Sequence, residues 1–300
     1  MTHVIAVAGA TGNLGARIVA SLRREGADVW ALVRPHADAE KLGALEAGGA
    51  RVIKVDLAKA DELVAALRGA NVVISALNGL RPVIVDGQQR LLEAAIKAGV
   101  RRFMPSDYSA DFTKTADEPN RNFDLRREFA SILDDAPIEA VSVLNGMFMD
   151  ILAYSNPLFD LRKHSTAYWG EPDQLLDFTT MDDTASATAL AALSPRAQRY
   201  VRVAGDTLDA RALAQIGSEV TGKEFALVRA GSLDELSAAI EKTRQADPGG
   251  ADEEFPRWQQ MQYVRNMSSG KAKLEPLDNN QFPQIAWTKV RDLATRMLPR

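Results

Sequence analysis

A chain of 300 residues without a single cysteine excludes disulfides, thiolate nucleophiles and thiolate metal sites, and it is long enough for about two domains. Hydrophobic residues at 46% and charged residues at 25% are those of an ordinary globular protein, and 36 basic against 40 acidic side chains leave a net charge of −4, the wrong balance for a nucleic-acid binder. His3, His36 and His164 show no ligand spacing, so no metal site is expected, and no apolar stretch nears the ~18 residues of a membrane span.

The run HVIAVAGATGNLGARIVASL (residues 3–22) predicts a strand at Val4–Ala8, a glycine turn and a helix over 13–25, with Leu14, Ile18 and Leu22 along one face. Gly9 permits a tight turn, Gly12 lets backbone approach a pyrophosphate, and Gly15 lets the helix pack against the strand. The amides of Thr11, Gly12, Asn13 and Leu14 then lie at a helix N-terminus, where partial positive charge meets phosphate oxygens. The spacing is G-x-x-G-x-x-G rather than G-x-G-x-x-G. It is the strand before and the helix after that make it a dinucleotide turn.

The second strand, 29–33, ends at Arg34. An acidic residue there would bind ribose hydroxyls, whereas arginine accommodates the 2′-phosphate, so NADP(H) is expected over NAD(H). Glu25 and Asp28 come too early to compete, and Lys41, on a helix over 38–47, reads as solvated. A strand over 52–55 places Asp56 beside the adenine, and after a helix over 61–68, a strand over 72–76 brings Ser75, Ala76 and Leu77 to the ribose. A helix over 83–98 follows, then a strand over 102–104 whose Arg101–Arg102 pair reads as a solvated strand edge. Beyond a helix over 122–134 lies a strand over 140–144. Ligands in open α/β sheets bind past the carboxyl ends of the strands. That rule sets Pro105, Ser106 and Asp107, and likewise Asn145, Gly146, Met147 and Phe148, near the nicotinamide, although Met147 and Phe148 fit a core equally well.

The rhythm then becomes irregular: strand 175–180, helix 182–193 capped by Asp182 or Asp183, strand 199–205, helix 209–222, strand 224–230. Residues 232–300 read as mostly helical with two loop breaks, and Trp258, Met261 and Tyr263 sit on an amphipathic helix that packs or closes over a flat ligand. Strands apolar on both faces, alternating with helices, predict an α/β doubly wound parallel Rossmann sheet with a smaller, partly intertwined C-terminal α/β substrate lobe. The nucleotide domain is expected over 1–153, with about 175–205 returning to it, and the substrate lobe over 154–300, mostly helical after 231.

GATGNLG, ALVRP, RRFMPSDYSADF and VLNGMFMDIL together resemble the isoflavone reductase-like and NmrA-like proteins, atypical short-chain dehydrogenase/reductases that bind NADP(H). The similarity runs from residue 3 to about 230. The usual Tyr-x-x-x-Lys signature is missing, since none of the tyrosines at 108, 154, 168, 200 and 263 has a lysine four residues on. In plant members a lysine three residues after a phenylalanine gives acid–base help; here Phe123 aligns and Arg126 holds the lysine position. Arginine stays protonated near neutrality, so it stabilises an oxyanion without acting as an acid. A missing proton donor costs about 10² to 10⁴ in rate. Tyr108 and Lys114 are the candidate substitutes, Lys114 reading more readily as a solvated loop lysine.

The resemblance implies an NADPH-dependent reductase of a small conjugated or aromatic substrate, of quinone, enone, azo or aryl ether type. The alternative it implies is an NADP(H)-binding redox sensor that contacts a protein partner and turns nothing over. A scaffold that has lost the nucleotide is the third reading. Neither nucleic acid nor membrane is expected as a partner, a cytoplasmic location fits the absent cysteine, and nothing fixes the oligomeric state.

Overall fold

The computed structural model describes residues 3–154, 156–196 and 198–298. In chain order it begins β1 (Val4–Ala8), α1 (Asn13–Arg24), β2 (Asp28–Val33), α2 (Ala39–Ala47), β3 (Arg51–Lys54), α3 (Ala60–Leu67) and β4 (Val72–Ser75). Then come α4 (Arg81–Ile84), α5 (Asp86–Lys97), β5 (Arg102–Met104), α6 (Arg121–Asp134), β6 (Glu139–Ala140), β7 (Ser142–Leu144), β8 (Met147–Phe148), β9 (Ser165–Trp169) and β10 (Leu176–Thr179). The chain continues through α7 (Met181–Leu193), β11 (Tyr200–Arg202), β12 (Asp206–Leu208), α8 (Ala210–Thr221), β13 (Ala226–Gly231), α9 (Leu233–Ala246), α10 (Arg257–Ser268) and α11 (Val290–Met297).

Two compact units share this chain. The first takes the residues up to Tyr108, Leu125–Val143 and Thr184–Val201; the second takes Ser109–Asp124, Leu144–Asp183 and the residues from Arg202 onward. Beside the division expected at 153, the interleaving is finer: the chain passes between units after residues 108, 124, 143, 183 and 201.

The first unit is built on a six-stranded sheet in the order β3-β2-β1-β4-β5-β6, with every pairing parallel. Ile5–Ala8 of β1 and all of β4 are buried, as strands covered by helices on both faces must be. On α1 the buried side is Gly15, Ile18, Val19, Ser21 and Leu22. Leu63, Leu67, Leu91, Phe103 and Phe129 share one core cluster, in which the Phe103 and Phe129 rings lie 6.0 Å apart. Each such side chain contributes about 1.5–3 kcal/mol on burial. The order reverses between β1 and β4, the switch point where doubly wound sheets open a crevice at their carboxyl ends.

Three local expectations are corrected. The helix expected over 83–98 begins at Arg81, because Pro82 suits a first turn, and it breaks at Val85 into α4 and α5. The strand expected over 140–144 divides into β6 and β7, since β5 ends at Met104 and Pro105 offers no N–H to extend the ladder. At the start of α7 the Thr180 hydroxyl accepts the Asp183 N–H at 3.0 Å and Asp150 Oδ2 accepts the Met181 N–H at 2.8 Å, in place of the caps expected from Asp182 or Asp183.

The second unit holds a three-stranded sheet, β12-β10-β8, and a parallel pair, β13 with β9. Met147, Met149, Phe159, Phe178, Leu213, Phe225 and Val290 form its core. The buried side of α10 is largely polar: Trp258, Gln259, Gln262 and Asn266. Gln259 Nε2 donates to Asn120 Oδ1 at 2.8 Å, and Asn120 Nδ2 donates to Asn266 Oδ1 at 2.8 Å. The same Asn120 Oδ1 accepts the Asn122 and Phe123 amides at 3.1 and 3.2 Å, satisfying two amides at the start of α6. Tyr263 packs edge-on to Phe123 at 5.0 Å, and the Trp258 ring lies under the guanidiniums of Arg121 and Arg244. These aromatics therefore pack within the second unit.

Candidate functional site

In the first unit the glycine turn is fixed by contact as well as by conformation. Gly9 has φ +80°, and a Cβ there would lie 2.5 Å from the Ala76 carbonyl oxygen. A Cβ on Gly15 would lie 2.1 Å from the Gly9 oxygen, so only glycine lets α1 start this close to β1. The Gly12 amide donates to that same oxygen at 2.9 Å, and no side chain caps the helix that Gly12 precedes. Gly12 and Asn13 are exposed, with Thr11 and Leu14 half-buried, so the first-turn amides are presented outward. An uncapped, accessible N-terminus carries the positive end of the helix dipole, which favours negative charge nearby.

Arg34 is the first residue after β2 and is exposed, its carbonyl closing a turn with the Ala37 amide at 3.0 Å. Asp56, just past β3, is half-buried and accepts the Ala58 amide at 2.9 Å. At the end of β4 the Ser75 hydroxyl is buried without a hydrogen-bond partner among the described residues, and Ala76 and Leu77 are half-buried beside it. Pro105 and Ser106 follow β5. The Ser106 amide donates to Gln88 Oε1 at 2.8 Å, and its hydroxyl donates to the Leu77 carbonyl at 2.7 Å. Gln88, fully buried on α5, thus holds the turn in place; a lone glutamine inside a helix carries no sequence signal for that task.

Arg126 is buried on α6. Asp107 is fully buried, and its Oδ2 accepts the Ser142 hydroxyl at 2.6 Å. That hydroxyl accepts in turn from Arg199 Nη1 at 2.6 Å, while Arg199 Nε donates to Asp134 at 2.5 Å. Burial pushes the Asp107 carboxyl up from its ordinary range, against the Ser142 bond and the charges of Arg126 and Arg199, with Asp134 adding to the rise. The neighbouring Tyr108 phenol is pushed up as well, by burial first and by the Asp107 charge, against the Thr188 hydroxyl. It holds its proton throughout the neutral range.

Lys114, Asn145, Gly146 and Met147 lie in the second unit. Lys114 Nζ donates to the carbonyls of Lys273 and Glu275 at 3.0 and 3.3 Å. Asn145 is buried, and its Oδ1 has no hydrogen-bond partner among the described residues. Gly146 has φ +68°, and a Cβ there would lie 2.4 Å from the Asp177 carbonyl oxygen. Met147 belongs to the core.

The Arg101–Arg102 pair is not a solvated edge. Arg101 is exposed, but Arg102 is fully buried and donates to the carbonyls of Ala191, Ala192 and Ser194 at 2.9, 3.1 and 2.8 Å. It closes the C-terminal end of α7 and faces Glu139, and burial lowers its pKa most, with Arg101 adding to the fall. A buried cation at a helix C-terminus meets both orphan carbonyls and the negative end of the dipole.

Among the described residues no cluster of histidine and carboxylate side chains could hold a metal ion, and no helix is long and apolar enough to cross a membrane. A family model described as the NmrA-like family matches residues 1–244. The isoflavone reductase homolog IRL of Zea mays is 30% identical over 240 residues, covering 74% of this chain and 75% of that protein. Among solved structures, AtPrR2 with NADP+ and (+)-pinoresinol superposes with a TM-score of 0.83 at 24% identity, covering 99% of each chain. The NADPH-dependent quinone oxidoreductase QOR2 complexed with NADPH, from Escherichia coli, superposes with a TM-score of 0.74 at 22% identity, covering 98% of this chain and 99% of that one.

Proposed function

The chain belongs to the NmrA-like family, and from that premise we propose that it is an NADPH-dependent reductase of a small conjugated or aromatic substrate. One observation carries the reading. At the switch point of the parallel sheet, an uncapped helix N-terminus stands over a turn that admits only glycine at positions 9 and 15, and an exposed arginine follows the adjacent strand.

The residues present fit a dinucleotide. The first-turn amides of α1 bind the pyrophosphate, Arg34 pairs with the 2′-phosphate, and Asp56 borders the adenine. The orphaned Ser75 hydroxyl, with Ala76 and Leu77, takes the ribose. Bound NADPH supplies a hydride, which leaves negative charge on the substrate. Arg126 stabilises that charge, and the proton comes from water or from Tyr108, whose phenol is protonated as a donor must be. The relatives described with a quinone oxidoreductase activity or with pinoresinol support the substrate class in outline.

Purified protein mixed with NADPH and a panel of quinones, enones, azo dyes and aryl ethers is expected to lose the nicotinamide absorbance with at least one class. Replacing Arg126 by methionine should slow that turnover at least a hundredfold, within the about 10²–10³ that one charge-stabilising donor contributes. No turnover above buffer across the panel, with NADPH binding intact, overturns the reductase reading and leaves a nucleotide sensor.

A further inference from the structure

Gln88 has no access to water, and both ends of its side-chain amide are bonded to backbone. Its Nε2 donates to the Ile84 carbonyl at 2.7 Å, at the break between α4 and α5. Its Oε1 accepts the Ser106 amide at 2.8 Å, 18 positions along the chain. Ser106 passes the constraint on, because its hydroxyl donates to the Leu77 carbonyl at 2.7 Å. Leu77 follows Ala76, whose amide donates to the Ala8 carbonyl at 2.8 Å and whose own oxygen leaves no room for a Cβ on Gly9. One chain of bonds and contacts thus runs from α5 through the turns after β5 and β4 to the glycine turn after β1, all within the first unit.

The strand order indicates which part of a dinucleotide this chain serves. In β3-β2-β1-β4-β5-β6, the turns after β2 and β3, with Arg34 and Asp56, lie on one side of the glycine turn. Those after β4 and β5, with Leu77 and Ser106, lie on the other. A dinucleotide with its pyrophosphate at the glycine turn and its adenosine half over β2 and β3 lays its nicotinamide half over β4 and β5. Gln88 and its partners Ile84 and Ser106 belong to that second side.

Resting on the nucleotide site proposed above, we propose that Gln88 is a positioning residue: through Ser106 it fixes the turns after β4 and β5 against each other, and so sets the seat of the nicotinamide half. Withdrawn from solvent, it acts through Ser106 rather than on the nucleotide itself. Without the Gln88 oxygen the Ser106 N–H is a buried donor with no acceptor. Leaving such a group unmade costs more than the bond contributes, so the turn is driven to another arrangement.

The test measures by calorimetry the binding of two probes to wild type, Gln88→Met and Ser106→Ala. One is NADPH; the other is adenosine 2′,5′-bisphosphate, which carries the adenine and the 2′-phosphate but no nicotinamide. Methionine keeps the length of glutamine and offers no N–H and only a weak acceptor. Gln88→Met is expected to bind the bisphosphate within about twofold of wild type and NADPH about tenfold more weakly, the order of one lost hydrogen bond. Ser106→Ala, which keeps the amide bond to Gln88 and loses only the link to Leu77, should show the same split in smaller measure. With no nucleotide bound, the Ser106 amide of Gln88→Met should exchange with deuterium at least about tenfold faster than that of wild type. Equal weakening of both probes, unchanged NADPH binding or unchanged exchange in Gln88→Met overturns the proposal. Should Gln88→Met fail to fold, the presence or absence of the split in Ser106→Ala decides. Wild type that binds neither probe removes the nucleotide reading and this proposal with it. Wild type that binds both but oxidises no NADPH removes only the reductase reading, and the split still decides the role of Gln88.

Discussion

In the reading proposed above, a single guanidinium after β2 tells two coenzymes apart. It is exposed, so its worth lies in charge-assisted bonds to the 2′-phosphate rather than in packing, about 1.5–3 kcal/mol for hydrogen bonds to a charged group. Arg34→Gln should weaken NADPH binding about tenfold or more by calorimetry, and leave NADH binding within about twofold. A loss shared equally by both coenzymes would show that Arg34 does not touch the phosphate. Gly9 and Gly15 were legible in the sequence because their tasks are set at fixed offsets from a strand end. Asp107 was not legible beyond its place after β5. Its meaning depends on Ser142, 35 positions away, and on Arg199, 57 positions beyond that.

At the scale of elements, strands β1 to β4 of the parallel sheet were readable because each carries Val, Ile or Ala in a short run between helical patterns. The short strands β8, β9 and β12 were not. Two to five residues carry too little periodicity, and their pairing partners lie far along the chain. Helix α10 misled for a different reason: its aromatic residues suggest an apolar face, whereas three of its four buried residues are amides that find partners at Glu118, Asn120 and Arg121. The end of α7 hides the largest surprise, since Arg102 serves a helix some 90 residues later. Arg102→Met should strip three carbonyls of their donor and leave Glu139 with a weaker partner. We expect a loss of about 2–4 kcal/mol in urea unfolding with the m-value unchanged. The neighbouring Arg101→Met, at an exposed ion pair, should cost under about 1 kcal/mol.

For the molecule as a whole, acid should remove the stabilisation that Glu118 contributes. Burial pushes its carboxyl up, but bonds from Arg265, Asn266 and Ser269 together with the Arg265 charge bring it below the ordinary value of 4.5. A depressed folded pKa contributes stability above the unfolded value that disappears as pH falls through the folded one. Circular dichroism against pH should therefore show Glu118→Gln less stable by about 1–2 kcal/mol at pH 7, with the difference from wild type closing as the pH falls below 4.5. A gap that persists to pH 2 would place the stabilisation elsewhere.

The chain enters the second unit three separate times before finishing there, so neither unit corresponds to one stretch of coding sequence. Exchange of the second unit between relatives by a single recombination event would sever the first unit along with it. Such a unit is free to drift residue by residue, but it cannot be traded as a cassette. An engineered chimera must splice at all five crossings together.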